Sequence, residues 1–212
     1  MTDYKLYYAL GSAAMGVRVM LEEIGASYEL IETTIDMAKP RPPDQLALNP
    51  NGWVPVLIWG DQAMYECAAI SVFLSDRHPE AGLAPGVDED ARGRFLQTLV
   101  YFSNSVQNAF QLHYYPDRFA DTPADAPSAQ RRGNRRLNET WGVIDEQIGD
   151  GKSVMVRGRV ALGYKSVSCC RHDRHLCGGL LARLLKAAET EHIKFKDLAQ
   201  PSASALQSYR QP

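Results

Sequence analysis

Apolar positions change period twice along this chain. From Lys5 to Ala9 a short apolar and aromatic run, closed by Gly11-Ser12, predicts a first strand and its turn. Val17, Met20, Leu21 and Ile24 then recur at helical spacing, with Glu22-Glu23 on the outer face and Gly25 placed as the stop. Tyr28 to Thr34 supplies a second strand in which Leu30 and Ile31 carry the apolar weight. KPRPP at 39 to 43 is incompatible with helix or central strand, so a loop follows, with room for one short helix at Asp44 to Leu48. Asn49 to Leu57, NPNGWVPVL, reads as a loop entering a β-branched strand through a proline. A tight turn at Gly60-Asp61, another short strand, and an amphipathic helix within YECAAISVFLSDRHP (Tyr65 to Pro79) complete the run.

After Pro79 the period becomes purely helical. AGLAPGVDED is a polar connector containing glycine and proline, the natural boundary between residues 1–80 and a second region from 89 onward, with 81–88 as linker. Phe95, Leu99, Phe102 and Val106 mark one face of a long helix running to about His113. PDRFADTPADAP breaks it, and Leu137, Trp141, Ile144 and Ile148 mark a second long helix that stops near Gly149. From about residue 152 the pattern loses both periods, and only LLARLLKAAETEHIKF regains a helical look. The order βαβ, loop, ββα in about 80 residues is the thioredoxin-like plan, and the expected fold class is that α/β domain followed by an all-α domain over 89–212.

Composition narrows the partners. A chain of 212 residues with 45% hydrophobic content can bury a sizeable core, and a net charge of -2 gives no electrostatic case for nucleic acid. No apolar run reaches the roughly 18 residues of a membrane span, and MTDYKLYY lacks the basic and apolar regions of a secretion signal. A cytoplasmic location and a small-molecule or protein partner are expected, with neither membrane nor nucleic acid involved. Four cysteines, three of them crowded at 169, 170 and 177, do not make a disulfide framework. Cys169, Cys170, His172, His175 and Cys177 match no established zinc spacing, so no metal is expected.

The motifs together resemble the cytosolic glutathione S-transferase superfamily, in its bacterial beta, theta and nu-like forms. The resemblance runs from residue 4 to about 148 and rests on KLYYALGS with its helix, NPNGWVPVL, and the Glu66-Cys67-x-Ala-Ile helix start about ten residues later. Residues 152–212 match poorly: a relative would show an S/T-x-x-D helix start there, and SVSCCRHD does not supply one, so divergence or a reading-frame change is one explanation.

The resemblance implies glutathione as co-substrate. It makes Pro55 cis and pairs the backbone N–H and C=O of Val54 with the cysteinyl part of glutathione. Trp53 either lines the same groove or is exposed aromatic surface. The γ-glutamyl carboxylate would bind at Glu66-Cys67, where a helix start gathers unpaired N–H groups and the positive end of the dipole. Relatives usually carry Ser where this chain has Cys67, and a thiol is the poorer hydrogen-bond donor. The plainer alternative is that Glu66 complements the dipole and Cys67 is a small buried hydrophobe. A free thiol has a pKa near ~8.5, and lowering it by about two units takes about 2.7 kcal/mol of differential stabilisation. Ser12, at the start of the first helix, and Tyr8, at the end of the first strand, are the candidate hydroxyl donors, although Ser12 also suits an ordinary N-cap.

Beta-class members carry a cysteine one residue after the position of Ser12. Ala13-Ala14 here argues against a mixed disulfide with the protein. Gln107, Phe110 and Tyr114, with His113 and Tyr115, would either form the pocket for a small hydrophobic electrophile or pack between helices. Many bacterial relatives have H-P-A-F where this chain has QNAF. The implied function is transfer of glutathione to a small electrophile by a homodimer. A non-catalytic binding or assembly module and a glutathione-dependent disulfide reductase are the alternatives.

Overall fold

The computed structural model describes residues 2–9, 12–36 and 38–149. Readings placed on residues 150–212, including the late helix, the Cys/His cluster and the reading-frame explanation, lie outside the described residues. Four strands, β1 (Tyr4–Tyr8), β2 (Tyr28–Glu32), β3 (Val56–Trp59) and β4 (Gln62–Tyr65), form one sheet in the order β2-β1-β3-β4. β1 and β2 are parallel, and the other two pairings are antiparallel. Three helices serve this sheet: α1 (Ala14–Ile24), α2 (Pro43–Leu48) and α3 (Cys67–Arg77). The result is a thioredoxin-like mixed sheet followed by a helical region.

The predicted elements form for the expected reasons. Tyr4, Leu6 and Tyr8 alternate onto one face of β1 and share a core with Val17, Met20 and Leu21 of α1 and Ile70 and Leu74 of α3. Each fully buried aliphatic side chain of this kind contributes about 1.5–3 kcal/mol relative to exposure. Gly25 ends α1 at φ 71°, a left-handed cap that other residues enter only at a steric cost. The register Trp59↔Gln62 leaves Gly60 and Asp61 as a two-residue turn, and Gly60 supplies its positive φ of 52°. β2 stops two residues short of the expected Thr34. The Thr33 N–H makes a last bond to Tyr8 C=O at 2.9 Å, and the Thr33 hydroxyl leaves the sheet for Gln45.

In the helical region Phe95, Leu99, Phe102 and Val106 are all buried, as their spacing predicts. They do not lie on one uniform helix: α4 (Arg92–Val100) passes into a π-helical turn at Tyr101–Val106 and then into α5 (Gln107–Tyr114). Spacings of four, three and four are satisfied by both windings, which is why the sequence does not reveal the change. α6 (Ala126–Gly149) buries Leu137, Thr140 and Ile144 and sets Trp141 edge-on to Phe102 and Phe110. Phe95 and Leu99 of α4 pack on Ala68 and Val72 of α3, and Arg92 reaches Asp76 at 2.8 Å.

Candidate functional site

Strand register sets the last residues of β1 and β4 and the first of β3 at one end of the sheet. Tyr7 lies opposite Val56, and Val56 opposite Tyr65. Just past these pairs the chain leaves the sheet, at the Val54-Pro55 bond before β3 and at Glu66, ahead of α3, after β4. The Val54-Pro55 bond is cis. Neither the N–H nor the C=O of Val54 has a backbone partner among the described residues. A residue whose N–H and C=O make no backbone bond is the kind of template that a short peptide can join.

The approach to Val54 is held by two buried amides, Gln45 and Asn49, of which sequence reasoning passed over Gln45. Gln45, fully buried, accepts a bond from the Thr33 hydroxyl at 2.8 Å and donates to Gly52 C=O at 2.9 Å. Asn49 accepts the Asn51 N–H at 3.2 Å and donates to Trp53 C=O at 3.1 Å. Arg41 adds a bond to the same Gly52 carbonyl at 3.0 Å. Gly52 itself has φ 66° and lies against the Arg41 and Leu46 side chains. Asn49 and Gly52 stood in the recognised motif; Gln45 carried no signal, because an amide in a short polar helix reads as solvated surface.

Glu66 is the one non-glycine residue with positive φ among the described residues, at φ 71° and ψ 108°. Such a backbone costs on the order of 1–3 kcal/mol and gathers at ligand-binding sites. Its side chain is exposed. Cys67 next to it is buried, and its thiol donates to Ala13 C=O at 3.4 Å, tying the start of α3 to the start of α1.

Ser12 stands at the same end. Its hydroxyl donates to Ala9 C=O at 2.6 Å and accepts the Ala14 N–H at 3.2 Å, two bonds within the turn that leads into α1. Its one proton is thus committed to Ala9 and must rotate away to serve a sulfur. Tyr8 is buried in the layer between the sheet and α1, with the Arg18 guanidinium 5.7 Å from its ring centre. Trp53 is 52% exposed. Phe110 and Tyr114 stack on α5 with ring centres 5.9 Å apart, Phe110 also meets Trp141, and Gln107 is half-buried on the same helix. The Phe110–Tyr114 stack lies within α5, and the Phe110–Trp141 contact joins α5 to α6.

Tyr7 is the residue that strand alternation hid. Pointing opposite to Tyr8, it is buried and its hydroxyl donates to the Asp44 carboxylate on α2. Burial first, then the hydrogen bond and charge of Asp44, push its phenol from 10.0 up to about 12. Asp44 is held below its ordinary value, chiefly by the same bond. Below pH 10 the folded and unfolded chains both keep the Tyr7 proton, and the contribution is fully present. Between about 10 and 12 only the unfolded chain loses it, so stability falls as pH rises. The slope is about 1.4 kcal/mol per pH unit. Urea midpoints across this window are expected to fall for the wild type and to fall less for Tyr7→Phe. A residual slope remains because Tyr4 and Tyr28 are also raised by burial. Equal slopes for the two proteins would contradict the assignment.

Taken together, the sheet order and the helix starts define a thioredoxin-like domain continued by helices. The family model for the glutathione S-transferase N-terminal domain matches residues 2–76. Glutathione S-transferase F10 of Arabidopsis thaliana is 30% identical over 149 residues, 68% of each chain. Glutathione S-transferase 1 of Dianthus caryophyllus is 35% identical over 113 residues, 52% of this chain and 51% of that one. A solved glutathione transferase homologue from Sulfitobacter, with bound glutathione, shares the fold at a TM-score of 0.70 and 20% identity, covering 98% of both chains. This chain belongs to the glutathione S-transferase family. It spans about half the length, or less, of several curated relatives that it matches. No described helix is long and apolar enough to cross a membrane.

Proposed function

We propose that this protein binds glutathione at the Val54 edge and promotes attack of its thiolate on a small hydrophobic electrophile. The observation that carries the reading is that neither the N–H nor the C=O of Val54 has a backbone partner among the described residues. The cysteinyl unit of glutathione pairs with Val54. Its γ-glutamyl carboxylate takes the N–H groups of the first turn of α3, where the helix dipole favours an anion. Glu66 lies at the position to receive the ligand's ammonium. The thiol then falls near the start of α1, where the helix end and the Ser12 hydroxyl, once turned from Ala9, stabilise the thiolate. Tyr8 is the second donor to test. Holding nucleophile and electrophile together supplies the remaining rate effect.

The assignment of residues 1–80 to glutathione binding, 81–88 to a linker and 89–212 to the electrophile side is part of this proposal, as is a homodimer acting in the cytoplasm. The committed proton of Ser12 favours one other reading, a glutathione-binding module with little turnover. Retention on immobilised glutathione followed by turnover of a chromogenic electrophile separates them. Retention with turnover that falls in Ser12→Ala supports the transferase; retention without turnover supports the binder; no retention removes both.

A further inference from the structure

α2 is docked on the sheet by polar contacts. Six residues long, it is too short to be helical alone. Gln45 is its one buried residue, and Leu46, which an amphipathic helix would bury, is 40% exposed. What holds it is the Tyr7 hydroxyl on Asp44 and the Thr33–Gln45–Gly52 chain. From α2 the hydrogen bonds run without interruption toward the ligand edge. The Asn49 N–H bonds Gln45 C=O at 2.8 Å, the Gly52 N–H bonds Asn49 C=O at 2.8 Å, and the Asn49 amide bonds Trp53 C=O, next to Val54. Tyr7 belongs to the central β1 and faces Val56, two residues from Val54.

We propose that Tyr7 and Asp44 are a positioning pair: by fastening α2 to β1 they fix the Val54 backbone in the place that glutathione requires. This rests on the glutathione reading of the site. Neither side chain touches the reacting atoms, so the pair sets affinity and leaves the chemical step alone. A merely structural pair would lower the melting temperature and the folded fraction without altering the affinity of the molecules that remain folded.

Calorimetric titration of the full chain with glutathione, combined with steady-state kinetics, tests this. Tyr7→Phe and Asp44→Ala are each expected to raise the glutathione dissociation constant about tenfold, the typical weight of a charge-assisted hydrogen bond. The kcat at saturating glutathione should change by less than about twofold, since interactions made equally in ground and transition states affect KM alone. The double variant is expected to be no weaker than the weaker single one, because both remove the same bond. Asp44→Asn, which keeps an acceptor for the Tyr7 hydroxyl, should recover most of the affinity, and it carries the test if Tyr7→Phe does not fold. Hydrogen exchange should show the Asn49 and Gly52 amides opening faster in Tyr7→Phe while α1 and α3 are unchanged. Wild-type affinity in the folded Tyr7→Phe and Asp44→Ala variants, or additive losses in the double variant, overturns the inference alone. A wild-type chain that binds no glutathione overturns the reading of the site, and this inference with it.

Discussion

Gly52→Ala is expected to cost about 3 kcal/mol of stability and to weaken glutathione binding more than tenfold. Two separate terms act at this residue. Its φ of 66° lies in the left-handed region, where a side chain costs roughly 1–2 kcal/mol. An added Cβ would also lie 2.8 Å from Arg41 Cγ and 3.1 Å from Leu46 Cδ2. Arg41 is poorly placed to yield, since its guanidinium bonds the carbonyls of Asp36, Lys39 and Gly52. Relief therefore moves the Gly52 carbonyl away from Gln45 and Arg41 and displaces Trp53 and Val54 after it. Urea denaturation and glutathione calorimetry read the two effects. Loss of stability with unchanged affinity would show that Val54 is held independently of Gly52.

Gly133→Ala is expected to destabilise the helical region by about 3 kcal/mol, against the sign of helix propensity, which favours alanine by about 1 kcal/mol. The reason is the closeness of α5 and α6. A Cβ at Gly133 would come within 2.7 Å of the His113 nitrogen and 2.8 Å of the Leu112 carbonyl carbon, both backbone atoms that cannot swing aside. Separating the helices also disturbs His113, which is bonded by Asn134 at its ring and by Gln130 at its carbonyl. Gly142 is the internal control: it lies in the same helix with nothing within 4 Å of an added Cβ. Gly142→Ala should raise stability by up to about 1 kcal/mol. Chemical denaturation of both variants checks the pair, and a shift of equal sign would contradict the packing described.

What the sequence discloses divides along physical lines. Strands and helices whose burial follows a simple period, such as β1, α1 and the Gly60-Asp61 hairpin, are visible because one face must be apolar. The NPNGWVPVL segment is visible because its glycine and proline answer backbone demands. Hidden are the features set by polar contacts or by small changes of winding. The π-helical turn at Tyr101–Val106 keeps the same apolar spacing as an α-helix. Gln45 and Asp44 look like surface residues until the fold gives them Thr33 and Tyr7. For the candidate site, the resemblance names Val54, Glu66, Cys67 and Ser12 as a group. The proton of Ser12 and the thiol of Cys67 are nevertheless turned inward, to Ala9 and Ala13. No residue pattern encodes which way a hydroxyl or thiol points.

The central claim is that the Val54 edge and the start of α3 together hold glutathione. A crystal structure of the protein with glutathione tests it directly. The account predicts two antiparallel backbone bonds between Val54 and the cysteinyl unit, with the γ-glutamyl carboxylate on the first N–H groups of α3. Glutathione bound elsewhere, with the N–H and C=O of Val54 still unpaired, would contradict it.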